Sequence, residues 1–108
     1  MIIAFVTFKP TIGREEALKK MEASMPVYQK IPGLIRKNYI ATEDGQMGGV
    51  YLWESREKAE AFYDESWPAR FEAYGPGVRP QLRWLECPFL VDNRAGEIVR
   101  SEAETMLA

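Results

Sequence analysis

At 108 residues, with 46% hydrophobic and 28% charged positions, the chain is sized for one soluble domain with a small core. A formal net charge of -2 supplies no basic field, so neither nucleic acid nor an anionic membrane is an expected partner. Histidine is absent, which excludes histidine-ligated haem, the usual zinc and iron triads, and Ser-His-acid or Cys-His catalysis.

A metal would need a carboxylate cluster, and no Asp/Glu spacing suggests one. Cys87 is the single cysteine, which excludes an internal disulfide framework and fits a reducing cytoplasm. The N-terminal run Met1-Ile2-Ile3-Ala4-Phe5-Val6 has no basic n-region or cleavage site and reads as a strand.

That first strand covers residues 2–9, with Phe5 and Thr7 on one face and Ala4, Val6 and Phe8 on the other. Pro10-Thr11-Ile12-Gly13 turns into a helix whose apolar stripe is Leu18, Met21, Met25 and Tyr28. Pro26 lies inside that pattern and predicts a kink or a break, and Pro32-Gly33 ends the segment. Residues 34–42 and 47–54 flank Glu43-Asp44-Gly45-Gln46, a hairpin signal because glycine tolerates positive φ.

Gly48-Gly49-Val50-Tyr51-Leu52-Trp53-Glu54 has large aromatics on one face and aliphatics on the other. Two apolar faces require two coverings. Ser55 then caps a helix, with Glu57 well placed in its first turn, that presents Ala59, Phe62 and Tyr63 on one side. Pro68 either kinks this helix or opens a further turn bearing Phe71. Residues 78–86 form a fourth strand, and Pro80 argues for an edge.

The order is βαββαβ, an α+β unit whose two helices pack on one face of a four-stranded sheet. The helix-free face is expected to carry Phe5, Thr7, Tyr39, Tyr51, Trp53, Arg83 and Leu85. Such a face is too apolar to leave exposed, so face-to-face homodimerisation is expected, with a cavity between sheet and helices. Residues 1–92 are expected to form the domain and 93–108 a C-terminal extension. Phe89–Val91 is expected to reach the other subunit, Glu97-Ile98-Val99 to pair as a short strand, and 102–107 to form a weak helical turn after Ser101.

Pro32-Gly33-Leu34-Ile35-Arg36-Lys37, the Gly48–Glu54 strand and Ala59-Glu60-Ala61-Phe62-Tyr63 resemble the small YdhR-like monooxygenase group of the dimeric α/β-barrel superfamily, over about residues 1–92. The superfamily includes the antibiotic-biosynthesis monooxygenases. The resemblance implies a ferredoxin-like protomer in an antiparallel dimeric barrel, with a pocket in each protomer. It also implies oxygenation of polycyclic phenols without metal or flavin, hence no cofactor, with Trp53 at the position of a pocket-lining strand tryptophan. Asn38 is the only candidate for the asparagine used by those enzymes on a central strand, although it points opposite Tyr39. Where many members have a histidine this chain has Ser66-Trp67, which disfavours haem degradation.

Trp53 and Tyr51 could stack on a flat aromatic ligand and orient its oxygen, or serve as core and interface aromatics. Arg83 could hold a phenolate, pair across a dimer, or face solvent. These three are the candidate catalytic residues. Phe5, Lys37, Tyr39, Phe62, Tyr63, Trp67 and Phe71 are the candidates for substrate contact. Cys87 has no activating histidine, and Gly48-Gly49 precedes a strand, so it is no dinucleotide fingerprint. Two functions stay open: a cofactor-independent monooxygenase on a small aromatic or polycyclic phenol, and a non-catalytic dimeric protein that binds small apolar or aromatic metabolites.

Overall fold

The computed structural model describes residues 1–101. In chain order the elements are β1 (Ile2–Pro10), α1 (Arg14–Tyr28), β2 (Leu34–Ala41), β3 (Met47–Trp53), α2 (Arg56–Phe62), α3 (Trp67–Tyr74), β4 (Gly77–Glu86), β5 (Phe89–Asp92) and β6 (Glu97–Arg100). The first four sheet strands pair antiparallel in the order β2-β3-β1-β4, and the helices cover one face, giving a ferredoxin-like α+β fold. Pro80 therefore sits on an edge strand, at the register shift between the Thr7–Gln81 and Lys9–Val78 pairs. β2 is the other edge, so Asn38 is not on a central strand.

Register decides the faces. Ala4 pairs with Tyr51 and Ile2 with Trp53, while Phe5 pairs with Val50 and Arg83. Directly paired residues share a face, so Tyr51 and Trp53 lie under the helices with Ala4, Val6 and Phe8. This corrects the expected parity, which had grouped them with Phe5. Tyr39, paired with Gly49, is also on the helix side, and Phe5, Thr7, Arg83 and Leu85 are on the other. A strand apolar on both faces has no internal mark of which one meets the helices.

α1 runs through Pro26 without a break. The carbonyl that loses its partner belongs to Glu22, an exposed position where water can serve it, and the helix ends two residues after the proline. The stripe facing the sheet is Ala17, Met21, Ser24 and Tyr28, not Leu18 and Met25, which are 43% and 48% exposed. Ala and Ser are small enough to bring α1 close, and a search for large apolar residues selects the neighbouring row instead.

Ser55 accepts a hydrogen bond from the Lys58 N–H at 3.2 Å and caps α2. The chain then breaks at Tyr63, and Pro68 lies in the first turn of α3, where a missing N–H costs nothing. β5 and β6 form a separate hairpin. Its Leu90 and Val99 pack on Met1, Leu52 and Cys87 of the same chain, covering one end of the helix-free face. Asp92 adds an ion pair to Arg36 at 3.4 Å. Phe89, Val91 and Ile98, on the hairpin's outer side, are 67%, 65% and 65% exposed. The expected turn at 102–107 lies outside the described residues.

Candidate functional site

A cavity of about 270 Å³ opens between the sheet and all three helices. α1 contributes Met21, Ser24, Val27 and Tyr28; β2 contributes Lys37 and Tyr39; β3 contributes Tyr51; α2 contributes Phe62; and α3 contributes Trp67, Arg70, Phe71 and Tyr74. Of the residues singled out from the sequence, Lys37, Tyr39, Tyr51, Phe62, Trp67 and Phe71 are brought together here.

Trp53 and Tyr63 stand one layer back. Trp53 is 0% exposed and donates its indole N–H to the Tyr63 hydroxyl at 3.3 Å, with its ring stacked near Tyr51 at 6.5 Å. Phe5 and Arg83 are on the opposite face of the sheet. Tyr28, Ser24, Arg70 and Tyr74 line the cavity without having been singled out for it. Met21, Ser24 and Tyr28 at spacings of three and four, facing Lys37-x-Tyr39, was the available signal.

The centre of the site is the Lys37 side chain. Its Nζ lies 3.4 Å from the Tyr28 ring centroid, 3.9 Å from that of Tyr39 and 4.5 Å from that of Tyr51. Among the described residues no carboxylate lies within ion-pair distance of it. Burial without a counter-charge pushes this amine down to about 7. The three ring faces act the other way, since their quadrupoles favour a cation. Burial also raises the Tyr28, Tyr39 and Tyr51 hydroxyls, so all three stay protonated near neutrality.

Other bonds fix the walls. Ser24 donates its proton to the Met21 carbonyl at 2.6 Å, so the Tyr39 hydroxyl, 2.7 Å from Ser24 Oγ, is the donor in that contact. Tyr74 donates to the Lys20 carbonyl at 2.6 Å and Lys20 Nζ to the Tyr74 carbonyl at 3.1 Å, which ties the end of α3 to α1. Arg70 is held by Asp64 at 3.2 Å and by the Phe62 carbonyl at 2.9 Å, so its charge is already occupied.

Gly49 makes the room. A Cβ there would fall 2.9 Å from Tyr51 Cε1 and 3.0 Å from Lys37 Cε. Gly49→Ala is expected to lose about 1–3 kcal/mol by displacing these two side chains. The change would be read as a lower urea midpoint at unchanged slope. A midpoint equal to wild type would show that the pair does not need this space.

No protein-family model and no curated protein matches the sequence. Solved structures do match. NE2512 from Nitrosomonas europaea, a protein of unknown function, is similar with a TM-score of 0.64 and 16% identity over 80% of this chain and 87% of its own. The ActVA-Orf6 monooxygenase of Streptomyces coelicolor, solved with nanaomycin D, gives 0.60 and 24% over 83% and 89%. SnoaB of Streptomyces nogalater, a cofactor-independent oxygenase, gives 0.60 and 12% over 80% and 92%. At these identities what is shared is the fold: this chain is built on the ferredoxin-like frame that carries both of those oxygenases.

Proposed function

We propose that the cavity binds a small phenol and that the protein is a cofactor-independent monooxygenase of the YdhR-like group, working as a cytoplasmic homodimer. The observation that carries this reading is the Lys37 amine, set in an aromatic wall without a carboxylate partner. An apolar cavity of about 150 Å³ takes a benzene ring. One of about 270 Å³ suits one or two fused rings, fewer than the polycyclic phenols the resemblance suggests.

In this reading neutral Lys37 takes the phenol proton and stays beside the phenolate as an ammonium. The protonated hydroxyl of Tyr28 adds a hydrogen bond to the oxyanion. Phe62, Trp67 and Phe71 hold the ring and exclude water. The electron-rich ring carbon then reduces dioxygen, and the resulting hydroperoxide collapses to a quinone. One oxygen atom enters the quinone. The other leaves in water, with hydrogens from the phenol O–H and the ring C–H. Trp53 and Tyr63 support the wall from behind, while Arg83 and Phe5, on the far face, have no part in this cavity.

The test is oxygen uptake by the purified protein with one- and two-ring phenols and hydroquinones. Uptake with quinone formation that falls at least about tenfold in Lys37→Met is the expected result. Saturable binding of the same phenols, followed by tryptophan fluorescence, with no uptake would replace this reading with a binding protein.

The dimer reading rests on the helix-free face. Phe5, Val50 and Leu85 lie on that face, and the outer side of the β5–β6 hairpin exposes Phe89, Val91 and Ile98 beside it. A second copy of this chain covers both, with the extension after Asp92 packing on the partner. Phe5→Glu is expected to convert a dimer into a monomer in light scattering after size exclusion. Wild-type protein that is monomeric at micromolar concentration would end the proposal.

A further inference from the structure

Lys37 is placed to act as an amine as well as a charge. No fully buried side-chain nitrogen or oxygen among the described residues lacks a hydrogen-bond partner, and Lys37 Nζ has none. The nitrogen therefore keeps some accessible surface, and the Lys37 side chain lines the cavity. The other lysines differ: Lys58 is paired with Glu54 at 3.2 Å, Lys20 is bound to the Tyr74 carbonyl, and Lys9, Lys19 and Lys30 are exposed and do not line the cavity.

We propose that Lys37 captures aromatic aldehydes or ketones in this cavity as a Schiff base, the three surrounding tyrosine rings stabilising the protonated imine. The amine lone pair adds to the carbonyl carbon, giving a carbinolamine. That intermediate takes up a proton from solvent on its hydroxyl and expels water as the C=N bond forms, leaving an iminium, and hydrolysis reverses the step without oxidant or reductant. The iminium nitrogen gains its positive charge where the Tyr28, Tyr39 and Tyr51 rings already lie 3.4, 3.9 and 4.5 Å from Nζ. The aryl group of the carbonyl compound occupies the space bounded by Phe62, Trp67 and Phe71.

Burial supports this chemistry, because an amine held down to about 7 is substantially neutral at pH 7. An ordinary lysine is neutral there in only roughly one molecule in 2,500. The inference rests on the same cavity and Lys37 amine as the proposed function but uses none of its oxygen chemistry, so labelling at Lys37 without oxygen uptake would end that reading and leave this one standing.

The test uses the full chain at pH 7 with 2-naphthaldehyde and sodium cyanoborohydride, which reduces an imine to a stable secondary amine. Adducts are located by peptide mapping on native protein and on protein in urea. The expected result is labelling of Lys37 at least about tenfold faster than Lys9, Lys19, Lys20, Lys30 or Lys58, with the preference lost in urea. Labels spread over the surface lysines, with Lys37 not favoured in the native state, would overturn it. The comparison needs no variant, so a Lys37→Arg protein that failed to fold would not obscure the outcome.

Discussion

Lys37→Met is expected to stabilise the fold at pH 7 by about 1–3 kcal/mol while removing the phenol oxidation proposed above. The stabilisation follows from protonation. In the unfolded chain this lysine titrates near ~10.4, whereas burial holds it at about 7 in the folded protein. Between those values the unfolded state binds more protons than the folded one, so wild-type stability rises with pH across that window. The methionine variant has no such group, fills similar volume, and keeps contact with the Tyr28, Tyr39 and Tyr51 rings. Urea titrations at pH 7, 8 and 9 should show the wild-type midpoint climbing towards the variant's. Parallel profiles would mean that Lys37 titrates as it does in water. Above about pH 10 the sign reverses, since the buried tyrosines have raised folded values and their contribution is lost as they ionise. The comparison is therefore made below that point. A change that adds stability and removes activity marks a group kept for chemistry at the expense of the fold.

The order of elements was legible because its signals are local. Gly45 takes φ +89° in the hairpin turn and Ser55 caps α2, and both are recognisable from a few neighbouring residues. What was not legible depends on contacts between distant segments. Both faces of β3 are apolar, Val50 and Leu52 against Tyr51 and Trp53, so only its register with β1 shows which pair meets the helices. The same ambiguity grouped Phe5 with the aromatics it turns its back on. In α1, Ala17 and Ser24 face the sheet because they are small, and hydrophobic periodicity passes over them. Tyr28 looked like a member of an apolar stripe. Only the approach of α1 to β2 makes it a wall of the Lys37 site. Lys37 and Tyr39 alternate along β2 and so share a face whatever the register, which is why the sequence could pair them.

Trp53→Ala is expected to cost about 3–5 kcal/mol, the loss typical of truncating a fully buried tryptophan. Small domains have only ~5–15 kcal/mol in total, so this variant should be near the limit of folding. Trp53→Phe separates support from chemistry. Phenylalanine keeps a ring among Tyr51, Phe62 and Tyr63 but loses the indole N–H that reaches the Tyr63 hydroxyl at 3.3 Å. A stability loss of about 1–2 kcal/mol follows from the smaller ring and the missing bond. Because Trp53 is 0% exposed and stands behind the cavity wall, the affinity of a two-ring phenol should stay within about twofold once the variant is folded. The opposite pattern, unchanged stability with affinity down at least about tenfold, would put the indole in contact with the ligand and require the wall to open. The two outcomes differ because Tyr51 lies between them. It stacks on Trp53 on one side and meets the Lys37 amine on the other, so the tryptophan's influence on the cavity passes through how firmly that ring is held.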